Sequence, residues 1–261
     1  MNIDLKELSD KAVEWAQLAG NHTLNYFGKS VEIIEKSDAS PVTIADREAE
    51  MIIRNKIEEF FPEHSIIGEE FGTKKTKSPI TWVLDPIDGT KSFINNVPLY
   101  TTLIGILIDN VPVIGVIYAP ATGEIAYATK GLGAFYNHKP TKVRPCNSIA
   151  SATFYTTELS HIKVEGYWPF FESIHDQCKL HRTWGDAYGH MKVAAGQADL
   201  MFDPILNIWD AAALLPIIEE AGGIFSDTRG RLTINGGNGY SCSPELFPYI
   251  QLHLDKLTSN K

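Results

Sequence analysis

Apolar residues recur along this chain with two spacings, and each spacing predicts a different kind of element. In two amino-terminal segments they recur every three or four residues, which predicts amphipathic helices over about residues 5–28 and 43–60, the second stopped by Pro62. Between residues 100 and 127, β-branched and aliphatic residues form two runs separated by Asp109-Asn110. That pattern predicts a hairpin inside a large sheet.

Shorter elements complete the first half of the chain. Strands are predicted at about residues 31–34 and 64–68, and turn residues fill 36–41. Residues 72–79, rich in Lys, Thr and Ser, are predicted to form a surface loop that closes over a neighbouring site.

The second half alternates strands with helices. Strands are predicted at about 152–156, 179–182, 199–202, 224–225 and 239–242, and helices at about 168–177, 188–195, 208–221 and 244–257. Pro216 falls inside one of these helices, where it removes a hydrogen bond and predicts a kink. No repeat or Pro/Ser-rich linker interrupts the chain, so we expect an amino-terminal half, 1–145, and a carboxy-terminal half, 146–261, packed as one unit.

Composition excludes several classes of protein. The 261 residues are 44% hydrophobic and 21% charged, as in soluble globular proteins, and the net charge of −9 argues against nucleic-acid or anionic-membrane binding. No run approaches the roughly 20 apolar residues of a membrane span, and the charged amino terminus does not resemble a signal peptide. Three widely separated cysteines predict free buried thiols. The cytoplasm is therefore the expected location.

Acidic side chains follow a predicted buried strand at residues 81–84. Asp85 and Asp88 stand at the end of this strand, and Pro86, which cannot donate to a sheet, is expected to end it. Two carboxylates this close together, with the Ile87 carbonyl between them, are oxygen ligands of the kind that divalent cations prefer.

Gly89 follows these acids and is expected to open a short helix. The free N–H groups at a helix start suit a phosphate, so acids and helix together indicate metal-assisted phosphoryl chemistry. The alternative is that Asp88-Gly89 forms an ordinary turn, since Asp-Gly pairs are common turn formers.

Three acidic segments in order resemble the inositol monophosphatase superfamily of magnesium-dependent, lithium-sensitive phosphatases. They are Gly68-Glu69-Glu70, Asp85-Pro86-Ile87-Asp88-Gly89-Thr90 and Trp209-Asp210. The resemblance extends from about residue 46 to residue 223. The resemblance implies an α+β fold, the layered αβαβα sandwich shared with fructose-1,6-bisphosphatase. It also implies Mg²⁺ as cofactor, a small-molecule phosphate ester as substrate, and a homodimer.

The resemblance also implies roles for individual residues. The implied metal ligands are Glu69, Asp85, the Ile87 carbonyl, Asp88 and Asp210. The implied catalytic residues are Asp46, Glu69 and Thr90, with Asp46 and Thr90 orienting the water that attacks phosphorus directly. The implied substrate-binding residues are Asp88, Gly89, Thr90, Asp186, Ala187, Asp203 and Asp210.

Two of these acids also have ordinary structural interpretations. Asp46 lies three residues after Thr43, the spacing of a capping box, and it can cap the helix while also accepting a hydrogen bond from water. Asp210 is predicted in the first turn of a helix, where the helix dipole stabilises an acid whether or not a metal is near.

The residues around the core motif resemble the histidinol-phosphatase branch of the superfamily. Lys91-Ser92-Phe93 follows Asp-Gly-Thr, Pro98 and Thr102-Leu103-Ile104 come next, and residues 185–189 read Gly-Asp-Ala-Tyr-Gly. Three positions depart from that branch: Ala187 replaces its usual Cys, Asp203 its Glu, and Asn96 its Gly.

A cationic substrate agrees with this branch, because histidinol phosphate carries an amine and an imidazole whereas inositol is neutral. Asp186 and Asp203 are the carboxylates expected to meet the cation, although Asp186 is equally suited to N-cap the following helix and Asp203 to end a strand. The alternatives are an inositol-1-phosphatase, a 3′-phosphoadenosine 5′-phosphate or fructose-1,6-bisphosphate phosphatase, and a catalytically silent binding protein.

Overall fold

The structure, a computed structural model, describes residues 4–29, 33–35 and 41–258. The predicted turn over residues 36–40 and the predicted strand start at Val31 lie outside these residues. The helices are α1 (Leu5–Thr23), α2 (Ile44–Phe60), α3 (Thr90–Ile94), α4 (Leu159–Val164), α5 (Trp168–His175), α6 (Asp186–Ala194), α7 (Ile208–Glu220) and α8 (Phe247–Thr258).

The strands are short and mostly paired with neighbours in sequence. They are β1 (Ile33–Glu35), β2 (Pro41–Thr43), β3 (Ser65–Gly68), β4 (Gly72–Lys74), β5 (Ile80–Asp88), β6 (Thr101–Ile108), β7 (Val111–Ala119), β8 (Glu124–Thr129), β9 (Gly133–Tyr136), β10 (Lys139–Pro140), β11 (Thr153–Thr156), β12 (Leu180–Arg182), β13 (Leu200–Asp203), β14 (Ile224–Ser226) and β15 (Gly239–Cys242).

Two large sheets organise these strands, beside a small pair formed by β1 and β2. An eight-stranded sheet has the order β10-β9-β8-β7-β6-β5-β3-β4, antiparallel except where β3 runs parallel to β5. A five-stranded sheet has the order β12-β11-β13-β15-β14 and is parallel around β11. The predicted hairpin is β6 and β7, turned by Asp109 and Asn110, both with positive φ.

Helices and sheets alternate in five layers, because each sheet buries both of its faces. In β5, Trp82 and Leu84 pack against α1 and α2, whereas Val83 packs on the opposite face against α6 and α7. In β11, Tyr155 faces α6 and α7 and Phe154 faces α5 and α8. This order of layers confirms the predicted αβαβα fold.

Helix α7 lies unusually close to the eight-stranded sheet. A Cβ on Gly105 would lie 2.6 Å from the Ala212 Cβ, and one on Gly115 would lie 2.1 Å from the Ala213 carbonyl oxygen. Pro216 belongs to the same contact, 3.0 Å from that Gly115 position. Two glycines on the strands and small side chains on the helix thus set how closely α7 packs on the sheet.

Some local predictions were wrong. Pro86 does not end its strand, because the register of β5 and β6 shifts between Asp85 and Asp88 and the bulge takes Pro86 out of the ladder. Residues 72–74 of the predicted loop form the edge strand β4, paired with β3. The three cysteines are free, but Cys178 is only partly buried. In the part of the chain described, no helix has the length and apolar content to cross a membrane.

His190 of α6 is buried without charge in the core. Its Nδ1 lies 2.6 Å from the Ser241 hydroxyl, and its Nε2 has no hydrogen-bond partner among the described residues. Burial lowers the pKa of His190 from 6.5 to about 3. Between these values the unfolded chain binds a proton that the folded chain does not, so this histidine makes stability fall as the pH falls.

We therefore expect His190→Asn, which keeps an amide near Ser241, to flatten the pH dependence of the unfolding free energy. The wild type should lose up to about 1.4 kcal/mol per pH unit more than the variant as the pH falls from 6.5 towards 4. Urea unfolding at several pH values measures both slopes. Parallel curves would show that His190 is not the group responsible.

Candidate active site

Three carboxylates, two from the end of β5 and one from a distant helix, converge beside the eight-stranded sheet. Asp85 and Asp88 flank the bulge at the end of β5, and Asp210 lies in the first turn of α7. One oxygen from each of the three lies within 4.8 Å of the other two. The structure thus brings together three of the predicted metal ligands.

Each of the three carboxylates accepts hydrogen bonds at one of its oxygens. The donors are backbone N–H groups and one threonine hydroxyl. Asp85 Oδ1 accepts the Ile87 N–H at 3.0 Å, and Asp210 Oδ2 accepts the Asn207 N–H at 2.6 Å. Asp88 Oδ2 accepts the Thr101 hydroxyl at 3.0 Å. The Ala187 N–H at the start of α6 also donates to Asp88 Oδ2, at 2.7 Å, so both halves of the chain fix this acid.

The electrostatics of this cluster favour a bound cation. Burial raises the pKa of Asp85 well above its usual range, and Glu69, Asp88 and Asp210 raise it further. Burial likewise raises the pKa of Asp210 to about 7, although its bond from Asn207 opposes this. Because like charges are held together away from water, a divalent cation would relieve both penalties, and an all-oxygen donor set suits Mg²⁺ better than zinc.

Glu69 lies beside the cluster rather than inside its tightest group. It follows β3, its N–H donates to the Leu84 carbonyl at 3.2 Å, and its charge raises the pKa values of Asp46, Asp85 and Asp210. Its role as a ligand stays a prediction.

Asp46 and Thr90, the pair predicted to orient the attacking water, lie next to each other. The Thr90 hydroxyl lies 3.4 Å from Asp46 Oδ1 and 3.1 Å from the Ile87 carbonyl oxygen, within reach of either. Asp46 Oδ2 accepts the Thr43 N–H at 2.8 Å and the Thr43 hydroxyl at 2.6 Å, which confirms the capping box. Burial raises the pKa of Asp46 to about 6 against these bonds. The roles of the Ile87 carbonyl and of this pair in catalysis remain predictions.

Gly89 occupies a position that no other residue fits easily. Its φ of 83° is left-handed, and a Cβ there would lie 2.9 Å from Asp186 Oδ2. It caps the five-residue helix α3, as predicted. Whether the N–H groups of Gly89 and Thr90 bind phosphate stays a prediction.

A cavity of about 660 Å³ opens next to the carboxylates, and Asp88 and Asp210 line it. Three more acids, Asp186, Asp203 and Glu158, and the basic side chains of Lys91 and His161 also line it. Its apolar lining residues include Val97, Leu99, Trp184, Ile205 and Leu206.

Asp203 is a buried acid on this cavity without a cationic partner. It ends β13, is 5% exposed, and accepts the Thr157 hydroxyl at 3.2 Å. No Lys, Arg or His of the described residues forms a salt bridge with it. Burial, with Asp186 and Asp210 nearby, raises the pKa of Asp203 well above its usual range.

Asp186 faces the same cavity from the first residue of α6. The N-cap of this helix is Gly185, so the N-cap interpretation of Asp186 was wrong. Asp186 instead has a left-handed φ of 54°, and its side chain approaches Gly89. Burial raises the pKa of Asp186 to about 6, while Lys91 and His161 oppose the shift.

Several cavity residues were missed from the sequence. Glu158, whose Oε2 lies 2.5 Å from Lys91 Nζ, and the exposed Trp184 come from segments that carry no recognisable motif. Ala187 was predicted to bind substrate, and the N–H that it offers is donated to Asp88. Only its place next to Asp186 connects it with the cavity.

Comparisons with known proteins identify the family of this chain. Residues 4–255 match the inositol monophosphatase family. A histidinol-phosphatase from Chlorobaculum parvum is 42% identical over 87% of this chain and 88% of its own. An inositol-1-monophosphatase from Synechocystis is 33% identical over 92% of this chain and 82% of its own. The solved IMPase of Thermotoga maritima superposes with a TM-score of 0.88 at 26% identity, covering 97% of this chain and 99% of its own.

Proposed function

Because the chain belongs to the inositol monophosphatase family and is a phosphoric monoester hydrolase, we propose that it hydrolyses histidinol phosphate to histidinol and phosphate. Asp203 carries this proposal. A buried carboxylate on a substrate cavity is costly unless something pairs with it, and in the described part of the chain no cationic side chain does so.

A cationic substrate would supply the missing partner. The amine or imidazolium of histidinol phosphate would pair with Asp203 and Asp186, and that pairing would lower the raised pKa values of both acids. Inositol 1-phosphate, the second candidate, has hydroxyl groups in these places and would leave Asp203 without a cationic partner. The similarity to a named histidinol-phosphatase at 42% identity supports the same substrate, and the 33% identity to an inositol-1-monophosphatase keeps the second candidate in the test.

The cation we propose for the carboxylate cluster is Mg²⁺, held by Asp85, Asp88 and Asp210 with Glu69 beside them. A bound Mg²⁺ supplies electrostatic stabilisation of the phosphoryl oxygens and makes nearby water more acidic. These four acids come from both halves of the chain, so they also fix the substrate cavity relative to the large sheet.

Thr90 and Asp46 would prepare the attacking water. With its proton directed at Asp46, the Thr90 hydroxyl turns its lone pairs towards the water and orients it. Asp46 is suited to receive the proton through this hydroxyl, since burial has raised the pKa of its carboxyl to about 6. The water oxygen bonds to phosphorus while its proton passes through the Thr90 hydroxyl to Asp46, and the ester P–O bond breaks. The leaving oxygen then takes up a proton from solvent and departs as the alcohol.

A comparison of substrates tests the proposal. With Mg²⁺ present, we expect kcat/KM for histidinol phosphate to exceed that for inositol 1-phosphate by about 100-fold, because only the first has a cation that can pair with Asp203. Fructose 1,6-bisphosphate and 3′-phosphoadenosine 5′-phosphate should be slower still. A higher kcat/KM for inositol 1-phosphate would reject histidinol phosphate as the substrate.

A further inference from the structure

Glu50 is a fully buried acid that does not touch the substrate cavity. It lies on α2, one turn after Asp46, with no exposed surface. Its Oε2 accepts the Glu70 N–H at 2.7 Å, and its Oε1 accepts the Phe71 N–H at 3.2 Å. Arg54 Nε donates to Oε1 at 2.6 Å. The carboxylate thus binds two successive backbone N–H groups and a guanidinium.

Arg54 also binds the last residue of this turn, Gly72. Its Nη2 donates to the Gly72 carbonyl, and its guanidinium lies 5.9 Å from the centre of the Phe71 ring. On the near side, the Glu69 N–H is bonded to the Leu84 carbonyl. The backbone from residue 69 to 72 is therefore held at every residue.

The strand before this turn is shaped to admit the Glu50 carboxylate. A Cβ on Gly68 would lie 2.0 Å from Glu50 Oε1 and 2.8 Å from an Arg54 nitrogen. Any larger residue at position 68 would displace the acid from the N–H groups that it binds.

We propose that Glu50 is a positioning residue for the metal site, holding the 69–71 backbone so that the Glu69 side chain faces Asp85 and Asp210. This inference rests on the metal site proposed above. Stability alone does not account for such a pair, because replacing a buried ion pair by well-packed apolar residues is often neutral or stabilising. Positioning of a ligand does account for it, since groups behind metal ligands fix their orientation and typically change metal affinity 10- to 100-fold.

The test is the Mg²⁺ affinity of Glu50→Asp, measured by isothermal titration calorimetry on the full chain without substrate. The shorter side chain keeps the charge beside Arg54 but cannot reach both N–H groups. We expect the Kd for Mg²⁺ to rise about 10- to 100-fold, whereas kcat at saturating Mg²⁺ stays within about threefold of the wild type. If Glu50→Asp does not fold, Gly68→Ala tests the same contact.

Glu48→Asp is the matched control. Glu48 lies on the same helix and accepts bonds from His22 and Tyr26, and within the described part of the chain no hydrogen bond joins it to residues 69–72. We expect this control to keep the wild-type Kd. An unchanged Kd in Glu50→Asp, even with a lower melting temperature, would overturn the inference. A wild type that binds no Mg²⁺ would instead overturn the metal site itself.

Discussion

Asp85→Asn is expected to lower kcat by about 1,000-fold or more while leaving the protein folded. Asparagine keeps an oxygen in place but removes the charge that attracts a cation. In metal-free buffer the variant should melt at or above the wild-type temperature, because burial and the neighbours Glu69, Asp88 and Asp210 all disfavour the Asp85 charge. Steady-state kinetics at saturating Mg²⁺ and thermal unfolding in metal-free buffer measure the two effects.

Asp199→Asn is a control with the opposite profile. Asp199 is equally buried, but it accepts Arg144 Nε at 2.6 Å in a salt bridge, and neither residue lines the cavity. We expect this variant to lose about 1.5 kcal/mol of stability with kcat unchanged, because Arg144 is 41% exposed and can be solvated once its partner loses the charge. Wild-type turnover by Asp85→Asn, in a preparation free of contaminating phosphatase, would refute the assignment of the cluster.

Asp203→Asn is expected to change the substrate preference. The amide fits the same space but cannot balance a cation, so kcat/KM for histidinol phosphate should fall by about 100-fold, the effect of removing one partner from a buried charge pair. For inositol 1-phosphate the change should stay within about threefold, because a neutral hydroxyl bonds to either side chain. Steady-state kinetics with both substrates measure the difference.

Glu158→Gln serves as the control within the same cavity. Glu158 is already paired with Lys91, and both side chains are largely exposed, so its loss should change either kcat/KM by less than about threefold. Equal losses for the two substrates in Asp203→Asn would remove Asp203 from substrate recognition.

The layered fold and the places of the acids at the ends of elements were predictable because each depends on short-range patterns. Neighbouring strand residues such as Trp82 and Val83 point to opposite faces of the sheet, and both are apolar and buried. A layer of helices must therefore cover each face. Asp85 and Asp88 end a strand and Asp210 begins a helix, positions that local rules identify. That these ends meet followed from the family resemblance and not from the residues alone.

The substrate cavity was less predictable because tertiary contacts build it. Glu158 and Trp184 follow strands of the five-stranded sheet, and they reach the cavity because both sheets pack on the shared layer of α6 and α7. No spacing in the sequence indicates that approach. Propensity makes Asp186 a candidate N-cap as well as a substrate-binding residue, whereas the structure gives it a left-handed backbone and a side chain that approaches Gly89. The bulge around Pro86 likewise depends on pairing with β6.

Because α7 packs directly on Gly105 and Gly115, the position of Asp210 depends on the distance between this helix and the sheet. A single methyl group at either glycine would push the helix off the sheet and carry its first turn away from Asp85 and Asp88. We therefore expect inactivating substitutions not only around the cavity but also at the buried contact between these glycines and Ala212 and Ala213.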